Sequence, residues 1–138
     1  VAHTGLACLI DCGEVDNIHP TDKRTPGERL CDAALRVVYG LDAPKSPEAT
    51  GKYTVGDTLI VTLDAPVAFA RDGDDCMEIA GADGVWHTAD VKVEGNTLRL
   101  TAAAVPEPVA ARYAHANWAC VRLFGENGLP LAPFVLTE

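Results

Sequence analysis

From residue 57 onward the sequence breaks into short β-favouring runs separated by turn residues, and this regularity restricts the fold more than any other feature. The runs are DTLIVTLDA (57–65), VAFAR (67–71), CMEIA (76–80), VWHTADVKV (85–93), NTLRLTA (96–102), PVAARYAH (108–115), ACVRLF (119–124) and LAPFVL (131–136). Asp83-Gly84, Gly95-Asn96 and Asn127-Gly128 punctuate them as turns. Eight such strands predict an antiparallel β-sandwich. VGDTLIVT (55–62) and EGNTLRLT (94–101) form a faint repeat. Two copies are too few for a solenoid, so the repeat reads as two hairpins built on the same Gly-led turn.

The first forty residues follow a different pattern. Leu6-Ala7-Cys8-Leu9-Ile10 is apolar without alternation, as in a strand covered on both faces of a parallel sheet, which predicts a strand over 5–12. Thr25-Pro26-Gly27-Glu28 reads as a helix start, with Thr25 as N-cap, Pro26 at the first helical position and Glu28 completing a capping box. Leu30, Ala33, Ala34, Val37 and Val38 supply the apolar stripe of this helix, and Gly40 stops it. LDAPKSPEATGK (41–52) reads as a linker. The expected class is therefore mixed α/β. Residues 1–40 form a strand-loop-helix unit that ends an α/β domain, 41–52 the linker, and 53–138 a β-sandwich. A lone strand in the first unit leaves an exposed edge that favours self-association.

Composition narrows the partners. A net charge of −9 and a pI near 4.7 exclude nucleic acid and an anionic membrane surface, since both require a basic face. No apolar run approaches the roughly 20 residues of a membrane helix. The chain opens on Val1, so the lack of a leader pattern says nothing about where the protein works. The five cysteines, at 8, 12, 31, 76 and 120, are odd in number and irregular in spacing, which argues for buried thiols over a disulfide framework. On one strand face Cys8 and Cys12 would stand about 13 Å apart, too far to bridge. Cys8, Cys12, Asp16 and His19 make a conceivable metal set but lack ligand spacing. No metal and no cofactor are expected.

The chemistry-bearing stretch is DNIHP (16–20). A His three residues after an Asp, in a loop behind a strand, suits a general base and its orienting carboxylate: Asp16 accepts from one ring nitrogen and leaves the other free to take a proton. The plain alternative is a polar turn. Ser46, the only serine, sits in PKSPE with no nucleophile motif around it. Cys31 falls on the helix and not on an exposed elbow. Lys23 and Arg24 read as solvated charges. Trp86, Tyr113 and Trp118 suit either a sandwich core or stacking on a sugar.

TGLACLIDCGEVDNIHPTDKRTPGERLCDAALRVVYG (4–40), followed by EIAGADGVWHTADVKVEGNTLRL, PVAARYAHANW and GENGLPLAPF, resembles the C-terminal portion of the sialate O-acetylesterase family of SGNH-type hydrolases. That resemblance implies an SGNH α/β hydrolase domain ending in residues 1–40, and a secreted or periplasmic parent. The parent would cleave O-acetyl esters of sialic acids or related sugars by Ser-His-Asp acyl transfer. It further implies His19 as general base and Asp16 as orienter. The family's Gly-Asp-Ser-like nucleophile block is not in these residues, so the chain alone is expected to be inactive. The implied partners are an O-acetylated sialic acid or other acetylated sugar, and the upstream catalytic portion. The competing function class is a non-catalytic β-sandwich module, structural or carbohydrate-binding.

Overall fold

Two hairpins with closely similar turns lie side by side and together make up one sheet. The computed structural model describes residues 3–70, 76–119 and 121–137. Strand β1 (Ala49–Val55) turns through Gly56-Asp57 into β2 (Thr58–Leu63), and β6 (Asp90–Glu94) turns through Gly95-Asn96 into β7 (Thr97–Thr101). Gly56 and Gly95 have φ of 61° and 62°. A positive φ at the first position of a two-residue turn matches the twist of the flanking strands and is cheap only for glycine. β2 and β7 pair antiparallel, Leu59 opposite Leu100 and Val61 opposite Leu98. The sequence repeat is thus two hairpins joined along their second strands, in the order β1-β2-β7-β6.

The facing sheet has the order β10-β8-β4-β5, where β4 is Met77–Ala80, β5 Trp86–Thr88, β8 Ala110–Tyr113 and β10 Phe134–Leu136. A two-stranded sheet of β3 (Val67–Phe69) and β9 (Leu123–Gly125) closes one side. The expected single run VWHTADVKV is two strands in different sheets: the chain crosses at buried Ala89, whose N–H still donates to the Met77 carbonyl at 3.0 Å. Leu59, Val61, Leu98 and Leu100 of one sheet meet Met77, Ile79, Ala111 and Tyr113 of the other, with Leu123 and Leu131 filling the side. Each large apolar side chain so buried stabilises the fold by about 1.5–3 kcal/mol. Arg71 and Cys120, which belong to two of the expected runs, lie outside the described residues.

The mixed α/β expectation, with residues 5–12 as the last strand of an SGNH α/β domain, is corrected. The described residues form one helix, α1 (Arg24–Val37), and three antiparallel sheets, with no strand between 5 and 12. The strand edge on which self-association was expected is therefore not there. This segment is apolar for another reason. Its Gly5 lies so close to α1 that a Cβ there would stand 3.0 Å from Val37 Cγ2, and Ile10 packs against the sandwich core. Its backbone is fixed by a turn, Cys12 N–H to the Leu9 carbonyl at 3.0 Å, and by Arg29 Nη1 donating to the Cys8 carbonyl at 2.6 Å.

The helix start also differs from the capping-box reading. Asp22 Oδ1 accepts from the N–H groups of Arg24 and Thr25, both at 3.0 Å, while Glu28 pairs with Arg24 at 2.6 Å. An Asp two residues ahead of the first turn satisfies the orphan donors itself, so Thr25 enters the helix and is not its cap. Of the expected stripe only Ala33 is fully buried; Leu30 and Val38 face solvent.

Candidate functional site

Asp16 and His19 lie on an exposed loop whose shape comes from a residue the motif does not include. Glu14 and Asn17 form an isolated antiparallel bridge, so Val15 and Asp16 are the tip of a tight turn closed by Asn17 N–H on the Glu14 carbonyl at 3.2 Å. The Glu14 carboxylate accepts from Asn17 Nδ2 at 2.9 Å, Thr21 N–H at 2.7 Å and Thr21 Oγ1 at 2.8 Å. Asn17 Oδ1 in turn accepts the His19 N–H at 2.9 Å, an Asx turn that sets the backbone at the histidine. One carboxylate therefore staples both ends of the segment that presents Asp16 and His19. Both of those side chains are exposed, and among the described residues no hydrogen bond or ion pair joins them.

The Thr21 N–H, the Asn17 amide and the Thr21 hydroxyl push the Glu14 carboxyl down from 4.5 to about 2. Donors to the ionised form favour it. With the folded value depressed, the staple is fully present above 4.5 and is lost only as pH falls through about 2. Carbon-detected NMR of the Glu14 carboxyl should give a midpoint near 2, with the Thr21 amide shift following it. A midpoint at the ordinary glutamate value would contradict this loop geometry.

Behind the loop, Arg29 of α1 forks onto Asp11 through Nη1–Oδ1 at 2.5 Å and Nη2–Oδ2 at 2.8 Å. Burial pushes the Asp11 carboxyl up, but the hydrogen bond and charge of Arg29 outweigh it, and the net direction is down. Burial pushes the Cys8 and Cys12 thiols up. Neither is thus a thiolate nucleophile near neutral pH. Ser46 faces the Cys8 thiol in a cavity of about 370 Å³ between the Leu6–Ile10 segment, α1 and the sandwich. None of its hydrogen bonds reaches His19. Among the described residues no three His, Cys, Asp or Glu side chains converge on a metal position, Cys8, Cys12, Asp16 and His19 included. Of the three aromatics, Tyr113 is core, Trp86 lies under the Arg112 guanidinium at 4.4 Å, and Trp118 is exposed.

Sequence spacing picked out Asp16 and His19 but missed Glu14, Asp22 and the Arg29–Asp11 pair. The signal for Glu14 was a carboxylate three residues before an Asn. It acquires meaning only once Thr21 folds back onto it.

Fold and site together define an antiparallel β-sandwich carrying a helix and an exposed Asp/His loop at its N-terminal side. Among solved structures the chain is similar to a carbohydrate acetylesterase from Xanthomonas citri, with a TM-score of 0.80 and 31% identity over 92% of its length. The chain spans 31% of that protein. No protein-family model matches this sequence, and no curated protein matches it either.

Proposed function

We propose that this chain is the base-bearing portion of a carbohydrate esterase, acting on an acetylated sugar with a serine nucleophile outside these 138 residues. The observation that carries the proposal is the likeness to the Xanthomonas citri carbohydrate acetylesterase across 92% of the chain. In this reading His19 takes the proton from the attacking serine hydroxyl and returns it to the leaving sugar oxygen. Asp16 accepts from the other ring nitrogen and stabilises the imidazolium that forms. Glu14 and Asn17 hold the loop that presents both. The finer reading assigns O-acetylated sialic acids or related sugars as substrate and a secreted or periplasmic setting. It rests on the phrases that resemble sialate O-acetylesterases.

Among the described residues, the Cys8 and Cys12 thiols beside the loop are held protonated and Ser46 bonds the Cys8 thiol and not a base. The isolated chain should therefore release acetate from nitrophenyl acetate and from 9-O-acetylated N-acetylneuraminic acid no faster than free imidazole does. The same residues within a longer protein that supplies the serine should turn over saturably. Saturable hydrolysis by the isolated chain that survives Ser46→Ala and disappears in His19→Ala would overturn the division of labour proposed here.

A further inference from the structure

Two surfaces of the N-terminal unit are apolar and uncovered, and one of them carries the candidate chemistry. Val15 and Asp16 form the tip of the turn that Glu14 and Asn17 close, and Ile18 comes directly before His19. Val15 is 66% exposed and Ile18 90%. Turn tips in water favour Gly, Asn, Asp and Ser, and a stiff β-branched side chain gains nothing there. The second surface lies on α1. Ala33 and Val37 meet Gly5. The neighbouring row, Leu30, Ala34 and the C-cap Val38 at successive i, i+4 steps, leaves Leu30 57% and Val38 66% exposed. Such a row normally lies against another element. Loop and helix are joined as one piece: Glu14 holds Thr21, and the next residue, Asp22, bonds the first amides of α1.

Scattered singly, exposed apolar side chains are ordinary. Here two of them immediately precede Asp16 and His19, and that position decides what can cover them. On the esterase reading above, His19 takes a proton from a serine hydroxyl, which must come within about 3 Å of the imidazole. A second copy of this chain brings no such hydroxyl, because Ser46 is its only serine and faces the Cys8 thiol in the cavity beside α1. Most of the Xanthomonas citri acetylesterase lies outside the span that this chain matches. A body of that size that brings a serine to His19 arrives against Val15 and Ile18 as well. Resting on that reading, we infer that the serine-bearing portion of the esterase docks on this unit. Val15 and Ile18 are its anchors beside the reacting groups, the row of Leu30, Ala34 and Val38 is a second contact, and docking itself assembles the active site.

Hydroxyl-radical labelling of side chains reads this contact, since it follows exposure and not turnover. The 138-residue chain and the longer protein that supplies the serine are labelled in parallel, and the modified side chains are located by peptide mass spectrometry. Labelling at Val15, Ile18, Leu30 and Val38 should fall about fivefold or more in the longer protein, as for side chains in the core of an interface. Val85 and Val135, 51% and 52% exposed on the sandwich, should label alike in both. Unchanged labelling at either the loop pair or the α1 pair overturns the proposal, and so does an equal fall at Val85 and Val135. Protection of the same four side chains in the isolated chain as its concentration rises also overturns it, by assigning the surface to a second copy. Acetate release is measured on the same samples. Protection without turnover supports the docking surface while failing the esterase reading, whereas turnover without protection fails the docking proposal alone.

Discussion

Replacing Arg29 with Met is expected to release residues 5–12 from α1 and to lower the stability of that unit by about 3 kcal/mol, since breaking one side of a buried ion pair strands the other. The Arg29 and Asp11 side chains are only 11% and 12% exposed. Losing the guanidinium would leave the Asp11 carboxylate and the Cys8 carbonyl without their donor. The damage should be local. The strands pair and pack among themselves, whereas α1 makes at most marginal contact with any of them. Hydrogen exchange should therefore show α1 amides opening about a hundredfold faster while those of β2 and β7 keep their protection. Equal loss across the sandwich, or none in α1, would contradict this account. Acid should act in the same direction. Because the folded Asp11 value is depressed below 3.8, the stabilisation is intact above that value and is lost as pH falls through the folded one.

The sandwich was legible because its strands carry their own punctuation: Gly95-Asn96 and the apolar positions of TLRL (97–100) mark β7. β1 was hidden for the opposite reason. Its side chains are mostly exposed, so ATGKYTV shows no apolar alternation, and only its pairing with β2 makes it a strand. The sheet crossing at Ala89 was invisible as well, since the residue that changes sheets is small, buried and flanked by strand formers. GLACLI misled because an apolar run reports burial and not conformation. Its residues nest against α1 and the sandwich core without strand partners. At the helix start Asp22 bonds the N–H groups of Arg24 and Thr25, so the helix begins before Thr25 and leaves it no capping role. The loop showed the same limit. Asp16 and His19 stood out by spacing, whereas the staple from Glu14 to Thr21 spans a fold-back that no local pattern encodes.

The largest expected effect falls on turnover in the longer esterase proposed to contain this chain. On that proposal His19→Ala removes the group assigned to take the serine proton, and should lower kcat by at least about a thousandfold. Asp16→Asn keeps the loop but offers the imidazole an amide in place of a carboxylate, favouring the wrong tautomer, and should cost about a hundred- to ten-thousandfold. The two side chains are not bonded to each other in this loop, and contacts between a general base and its orienting group commonly tighten in the substrate complex. KM should change by no more than about threefold in either variant, because these groups act on a proton that moves during reaction. A polar turn predicts a different result, with small losses of stability and unchanged turnover per folded molecule. The direct measurement is acetate release from an O-acetylated sugar by wild-type and His19→Ala esterase, normalised to folded protein. The account predicts at least about a thousandfold lower kcat with a similar KM, and a kcat for His19→Ala close to wild type would contradict it.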